Sequence, residues 1–262
     1  MMRLTLLGTG TSTGVPVIGC NCRVCTSNDP HDHRLRTSAL LEAEGERILF
    51  DCGPDFREQM LRFGLRPDEH GRLLSAIFLT HDHADHIGGL DDLRPSNVFG
   101  HVPVYAEKRV ADNLRSRLPY CFVKSGERYP GVPHISLNEV RPQVPVNVGA
   151  VEVLPLRVMH GQLPILGFRV GRLAYITDMS AMEASEEEHL QGVEVLVVNG
   201  LRHTYHPTHQ TVADAVAMAR RLGWPQTYLV HMTHQVGLHA EEDAALPPCV
   251  HLGYDGLQIT VR

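Results

Sequence analysis

The chain has 262 residues, and 43% of them are apolar, so it can bury a sizeable core as one large domain or two modest ones. Its formal net charge is −6 with histidine neutral, which argues against a general nucleic-acid-binding surface, and no apolar run approaches the ~20 residues needed to cross a bilayer. Seventeen histidines are the unusual feature, and many fall in short clusters, as expected of a metal site assembled from several loops.

The N-terminal segment predicts a strand at residues 4–7, followed by a glycine-rich loop at residues 8–14. The glycines do not have the G-x-G-x-x-G spacing of a dinucleotide loop, and a proline-containing segment follows in place of a helix. We therefore expect a loop whose glycines let the backbone approach a site closely. The apolar stretch before Gly8 is too short for a signal peptide, so we expect a cytoplasmic protein.

Three cysteines follow closely, at Cys20, Cys22 and Cys25. Three thiolates within six residues suit a tetrahedral zinc with one further ligand elsewhere, and the alternative is three unconnected reduced thiols. A disulfide framework is not expected, because the other three cysteines are scattered and no export signal is present.

A predicted hairpin, at residues 38–42 and 46–50, leads into Asp51. An aspartate at a strand end beside a glycine turn can orient a metal ligand from behind, and a simple turn-capping role fits the spacing equally well. A short amphipathic helix is predicted over residues 55–63.

The most informative stretch is residues 76–86, where an apolar strand ends at Thr80 and a polar loop follows. That loop carries His81, His83, Asp85 and His86. Imidazole and carboxylate groups crowded together are costly unless a cation lies among them, and they are ordinary ligands of divalent metals. The alternative, a solvated histidine-rich loop, fits poorly with the apolar strand before it. A helix is expected to begin within residues 87–93.

Further strands and helices alternate along the rest of the chain. Strands are predicted at residues 102–105, 151–156, 166–170, 172–176, 193–198, 226–230 and 256–261, helices at 106–118 and 211–222, and a proline- and glycine-rich cap or substrate loop at 119–145. Several strands end near a histidine or aspartate, namely Asp51, His81, His160, Asp178 and His231. Two runs of strands, each followed by helix, predict a two-layered sheet with helices outside and ligands gathered at one rim. No internal domain break is evident, so we expect a single domain over residues 1–262.

The motif His81-x-His83-x-Asp85-His86, with His160, Asp178 and His231 downstream in that order, resembles the metallo-β-lactamase superfamily. The resemblance implies a four-layer αββα sandwich of the α/β class and two metals about 3.5–4 Å apart. It implies one metal on His81, His83 and His160. The second metal would lie on Asp85, His86 and His231, with Asp178 bridging the two.

A narrower resemblance, carried by the glycine loop, the three cysteines and His231-x-x-His234-Gln235, is to the cyclic-phosphate phosphodiesterases of bacterial phosphonate breakdown. It implies that His234 is the fourth ligand of a structural zinc, and that His209 donates a proton in catalysis. His203 and His206 are nearby, and the pattern alone hardly separates the three.

We therefore expect a binuclear, metal-dependent hydrolase with zinc or manganese as its catalytic pair. It would cleave a small phosphodiester, one that is cyclic and contains ribose. The nucleophile would be a hydroxide that joins the two metals. We expect His209 to be the general acid and Asp85 to be a further catalytic residue. No nucleic-acid or membrane partner is expected, and the resemblance suggests a homodimer. The alternatives are an RNA-processing nuclease of the tRNA 3′-end type, an oxidoreductase of quinone-cofactor biosynthesis, and a non-catalytic metalloprotein. The negative net charge and the lack of a lysine-rich arm argue against the nuclease. The intact metal motif argues against the oxidoreductase, and the candidate acid argues against a non-catalytic protein.

Overall fold

The structure, a computed structural model, describes residues 1–63, 66–67, 71–123, 129 and 131–262. One seven-stranded sheet contains β1 (Met2–Gly8), β2 (Ser38–Ala43), β3 (Glu46–Phe50), β4 (Ala76–Phe78), β5 (Val102–Ala106), β6 (Ile135–Glu139) and β14 (Gln258–Val261). Its spatial order is β14-β1-β2-β3-β4-β5-β6. Strand pairs are antiparallel from β14 to β3 and parallel from β3 to β6.

The second sheet also has seven strands. They are β7 (Val146–Val148), β8 (Val151–His160), β9 (Leu163–Val170), β10 (Leu173–Ile176), β11 (Val195–Asn199), β12 (Gln226–Val230) and β13 (Val250–Leu252). Their order is β13-β12-β11-β10-β9-β8-β7. Pairing is parallel from β13 to β10 and antiparallel from β10 to β7, so each sheet is half parallel and half antiparallel.

The helices are short and cover the outer faces of the two sheets. They are α1 (Phe56–Arg62), α2 (Ala84–Ile87), α3 (Ser96–Phe99), α4 (Lys108–Arg117), α5 (Ala184–Glu187), α6 (Val212–Arg221) and α7 (His239–Ala245). Local chemistry fixes where α6 begins, because Thr211 and Asp214 satisfy each other's backbone N–H groups in a capping box. Its Val212, Ala215 and Met218 then pack on the second sheet.

The inner faces of the two sheets pack together through aromatic rings. The Phe50 ring stacks on Phe168 at 5.4 Å and on Tyr175 at 5.1 Å, and all three are buried. Separate apolar clusters lie between each sheet and its own helices. The predicted four-layer αββα sandwich is therefore confirmed.

Some element boundaries differ from the sequence prediction. The segment 119–145, predicted as a loop, contains the edge strand β6, and β7 begins directly after it. Residues 124–128 and 130 of this segment lie outside the described residues. An α-helix begins earlier than predicted, at Ala84 inside the motif, and a 3-10 helix (Leu90–Leu93) begins within the predicted residues 87–93. The three-residue strands β7 and β13 escape prediction because so short a run has no measurable periodicity.

The parallel pairing places the carboxyl ends of β3 and β4 at one edge of the first sheet, and those of β10, β11 and β12 at one edge of the second. Asp51, His81, Asp178 and His231 directly follow β3, β4, β10 and β12 or lie within three residues of them. Within the described residues, no helix is long and apolar enough to cross a membrane.

Candidate metal centre

The motif loop is held from behind by Asp51. The Thr80 N–H and hydroxyl both donate to the buried Asp51 carboxylate, at 2.8 Å and 2.9 Å. The same hydroxyl accepts from His81 Nδ1 at 2.9 Å, and His86 Nδ1 donates to Asp51 Oδ2 at 2.7 Å. Asp51 therefore fixes two histidine rings with their Nε2 atoms free, which is how carboxylates orient metal ligands.

His160 is oriented in the same way by backbone carbonyls. Its Nδ1 lies 2.9 Å from the Asp178 carbonyl and 2.8 Å from the Thr208 carbonyl, so its Nε2 is also the free nitrogen.

The ligand atoms come together in overlapping groups. His81, His83 and His160 form one group, Asp85, His86 and His231 form another, and the atoms within each group lie within 4.8 Å of one another. Asp178 is within ligand distance of both groups, because its carboxylate groups with His81 and His86 and also with His160. Its Oδ2 lies 3.1 Å from His86 Nε2 and its Oδ1 3.1 Å from His231 Nε2. The structure thus brings together all seven residues that the sequence singles out, in the two sets that the family resemblance implies.

Two buried nitrogens in this cluster test whether cations fit it. His81 Nε2 makes no hydrogen bond with the described residues, although its ring is buried. His86 Nε2, also buried, makes no well-aligned hydrogen bond there and has only the carboxylates of Asp178 and Asp85 beside it, at 3.1 Å and 3.3 Å. Buried polar atoms without partners are rare and costly. Because the surrounding donors are imidazole and carboxylate, divalent cations such as zinc or manganese fit the two groups.

The pKa values of two ligands, His81 and Asp178, suit cation binding, whereas His86 differs: burial disfavours a charge on its ring, yet the Asp178 and Asp51 carboxylates raise its pKa well above its usual value. Burial lowers the pKa of His81 well below its usual value, which keeps the ring in the neutral form that binds metals. Burial disfavours a charge on Asp178 too, yet the His231 and His86 imidazoles beside it lower the pKa of that carboxyl well below its usual range. The carboxylate is therefore ionised and available to bridge.

Three strand-end residues adopt an uncommon backbone conformation. Asp51, Asp178 and His231 have φ values of 59°, 57° and 55°, in the left-handed region that non-glycine residues seldom occupy. Backbone strain of this kind is often stored at functional sites. Gly53 adds a close backbone approach, since a Cβ there would lie 2.1 Å from the Asp85 carbonyl oxygen.

The three N-terminal cysteines form a second cluster with His234. The Sγ atoms of Cys20, Cys22 and Cys25 lie 3.3 Å, 3.2 Å and 3.4 Å from His234 Nδ1. Zinc–sulfur bonds of about 2.3 Å and zinc–nitrogen bonds of about 2.0 Å at a tetrahedral angle separate S and N by about 3.5 Å. This donor set therefore fits one zinc ion. The hydrogen bond from the Cys25 backbone N–H is the largest of the effects that lower the pKa of Cys22 to about 6. The lower pKa favours the thiolate form of Cys22, which is the form that binds metals.

The structure separates the three candidate proton donors. The His209 ring lies over the cluster, 4.6 Å from the ring of His160 and 5.0 Å from that of His231. Its buried Nδ1 makes no hydrogen bond with the described residues and lies 3.7 Å from Asp178 Oδ1. The His206 ring lies outside the cluster, 5.1 Å from the ring of His209. His203 points elsewhere, because its Nε2 is within 3.0 Å of the Val236 carbonyl and 2.9 Å of Glu242.

Two supporting side chains were missed by the sequence analysis. The Asn199 side chain bridges both backbone groups of Met179, at 2.8 Å and 3.0 Å, and so braces the turn that carries Asp178. Asp82 inside the motif is buried and accepts from Arg109 at 2.6 Å and from Asn113. No spacing rule links these residues; a buried polar side chain becomes informative only when its partners are known.

Comparison with known proteins places the chain in a family. A model described as Beta-lactamase superfamily domain matches residues 46–232. An octanoyltransferase from Porphyromonas gingivalis (strain ATCC BAA-308 / W83) is 48% identical over 262 residues, which is 99% of this chain and 52% of that protein. The chain thus spans about half the length of this relative.

Two solved structures are similar throughout. One, described as a new diphosphatase from the PhnP family, is 38% identical with a TM-score of 0.89, covering 98% of this chain and 96% of that one. Zn²⁺-bound PqqB from Methylobacterium extorquens, at 17% identity, a TM-score of 0.80 and coverage of 99% and 100%, shares the fold. The family match and the similarity to the PhnP-family enzyme lead to one conclusion: the chain belongs to the β-lactamase superfamily, has the metallo-β-lactamase fold and is related to the PhnP family.

Proposed function

We propose that the protein hydrolyses a small phosphodiester, one that is cyclic and contains ribose, at a pair of divalent cations. The observation that carries the proposal is the convergence of His81, His83, His160, Asp85, His86, His231 and Asp178 in two adjoining groups, with His209 beside them. A substrate of this size suits a site formed by strand ends and short loops.

The residues of the cluster would divide the work between them. The two histidine and carboxylate groups would each hold one cation, with Asp178 shared. When bound, such a pair supplies positive charge for phosphoryl oxygens and lowers the pKa of an attacking water. Asp51 and the carbonyls behind His160 keep the ligand rings oriented, so little reorganisation is needed during the reaction.

His209 would protonate the departing alkoxide. Burial lowers the pKa of this imidazole to about 3, so the ring is neutral in the absence of substrate. An anionic phosphate bound against the ring favours its protonated form and raises the pKa toward the value that suits a general acid. We therefore expect His209 to gain its proton together with the substrate.

A diphosphate is a second candidate substrate. It is favoured by the similarity to the PhnP-family diphosphatase, at 38% identity over nearly the whole of both chains. A departing phosphate is a weaker base than an alkoxide, so diphosphate cleavage needs the proton from His209 less. The effect of replacing His209 therefore distinguishes the two substrates.

Other functions have less support. An RNA-processing nuclease would need a basic surface for a large substrate, and the net charge is −6. The name octanoyltransferase belongs to a protein nearly twice as long, and it does not say which half carries that activity. A small-molecule substrate and a homodimer without nucleic acid remain our proposal for its partners.

The experiment is a substrate panel with the purified protein, with Mn²⁺ or Zn²⁺ added. We expect metal-dependent turnover of bis(p-nitrophenyl) phosphate and faster turnover of a ribose cyclic phosphate. His83→Ala should abolish the turnover, whereas His101→Ala, at an exposed histidine outside the cluster, should not. No metal-dependent hydrolysis of any diester would refute the proposal, and hydrolysis of diphosphates alone would replace it with the second candidate.

A further inference from the structure

The loop over residues 201–210, which carries both His206 and His209, is closed at its base. The Leu201 N–H donates to the Gln210 carbonyl at 3.2 Å, and the Val212 N–H donates to the Arg202 carbonyl at 3.1 Å. The last residues of the loop are tied to the cluster, because the Thr208 carbonyl accepts from His160 and the Gln210 side chain donates to the Asn199 carbonyl at 2.7 Å. The first residues of the loop need a separate support.

Arg202 provides this support. Its Nε donates to the Thr204 carbonyl at 3.2 Å and its Nη2 to the Tyr205 carbonyl at 3.0 Å. Its Nη1 donates to Gln235 Oε1 at 3.0 Å. A planar guanidinium has five donors in a fixed arrangement, so one side chain can hold three separated acceptors at once, whereas a lysine offers its three donors from a single rotating nitrogen.

Gln235 lies next to His234, the histidine of the cysteine cluster. The same short segment makes further bonds to the loop. The Thr233 N–H donates to the Leu201 carbonyl at 3.0 Å, and the Val236 carbonyl lies 3.0 Å from His203 Nε2. The loop is therefore hydrogen-bonded to the segment 233–236, whose His234 belongs to the cysteine cluster.

From these contacts we infer that Arg202 is a positioning residue. Together with Gln235 it fixes the loop so that His209 lies over the cation cluster. This inference rests on the proposed function, in which His209 supplies a proton to the leaving group. It assigns a second task to the cysteine cluster, which is to provide the anchor for the loop that carries the acid.

The inference predicts a specific change in rate. Arg202 and Gln235 lie outside the apolar core, and bonds between such exposed groups add little to global stability. A displacement of about 1 Å at a reacting group can nonetheless cost about 10²-fold in rate. We expect Arg202→Met to lower kcat about 10- to 100-fold for a ribose cyclic phosphate, whose alkoxide needs a proton. Turnover of bis(p-nitrophenyl) phosphate should change by less than about threefold, because nitrophenolate leaves without protonation.

Hydrogen–deuterium exchange tests the support without any substrate. We expect peptides covering residues 201–212 to exchange faster in Arg202→Met and in Gln235→Met than in the wild type, because the N–H groups of Leu201, Gln210 and Val212 are hydrogen-bonded at the base of the loop. Gln235→Glu keeps an acceptor for Arg202 and should exchange like the wild type. Arg221→Met is the matched control, since Arg221 bonds Glu187 at 2.9 Å and 2.8 Å, away from the loop.

The outcomes separate this inference from the proposed function. Unchanged exchange in Arg202→Met, or an equal loss of turnover on both substrates with metal content intact, would overturn the positioning role alone. If the wild-type protein hydrolyses no diester, the proposed function fails, and the exchange measurement still decides whether Arg202 holds the loop.

Discussion

At the scale of single residues, His209 is the residue outside the proposed metal ligands on which the proposed catalysis depends most. We predict that His209→Ala lowers kcat on a ribose cyclic phosphate by ~10²–10⁴-fold while metal content stays intact, because the ring donates a proton and holds no cation. Steady-state kinetics with metal analysis of the same sample checks this. The control matters because His209 also lies within ligand distance of His160 and Asp178. Loss of metal in the variant would make His209 a ligand.

Asp255 offers a prediction about pH. Its carboxylate is buried, accepts from the Leu35 N–H at 2.7 Å and from Thr9 at 2.9 Å, and burial raises its pKa to about 6. An acid whose pKa is raised on folding stabilises the fold fully below its unfolded-state pKa of about 3.9, and that contribution is lost as pH rises through about 6. The free energy of unfolding of the wild type, relative to Asp255→Asn, should therefore fall by roughly 2–3 kcal/mol between pH 4 and pH 7. Urea unfolding at several pH values measures it; a constant difference would contradict the prediction.

The sequence predicts those residues of the site that lie at or just after the end of a predicted strand. His81 and His83 alternate on extended backbone, and Asp178 and His231 come directly after apolar runs. It could not choose between two roles for Asp51, and the structure shows that this residue both caps Thr80 and orients His86. It also did not predict that the ring of His31 lies 4.3 Å from the ring of Tyr254. Contacts between residues more than 200 positions apart leave no local pattern.

At the scale of elements, strands with clear apolar patterns were predictable, whereas the edge strands β6, β7 and β13 were not. β12 was predicted with the bounds that the structure has, because its apolar run is bounded by proline and histidine. β6 was missed because it lies in a segment rich in proline and glycine, although its Ile135 and Leu137 alternate with polar residues. An alternation over so few residues does not stand out within such a segment.

The N-terminal cysteine segment is the element whose role is most easily tested. We predict that Cys22→Ser loses one equivalent of bound zinc and leaves the histidine and carboxylate cluster occupied, because the two donor sets share no residue. Cys249→Ser is the matched control, since Cys249 is a free thiol outside both clusters. Metal analysis by mass spectrometry after dialysis decides the matter, and an unchanged zinc content in Cys22→Ser would argue against a zinc site there.

At the scale of the whole molecule, the two sheets each contribute half of the site. The first sheet supplies the motif loop after β4, and the second supplies His160, Asp178 and His231 from β8, β10 and β12. Each half has the same plan, with parallel strands whose ends meet at one rim. The architecture was predictable from the order of strands and helices and from the family resemblance, whereas the register that brings the two rims within ligand distance was not.

The central claim is that cations held at this rim carry out the hydrolysis. The most direct measurement titrates chelator-stripped protein with Mn²⁺, while bound metal and turnover of bis(p-nitrophenyl) phosphate are followed together. We predict that turnover appears as two equivalents bind and that Asp178→Asn, which removes the shared carboxylate, loses both tight binding and turnover. Turnover that persists at its full rate in the stripped protein, or that is unchanged in Asp178→Asn, would contradict the account.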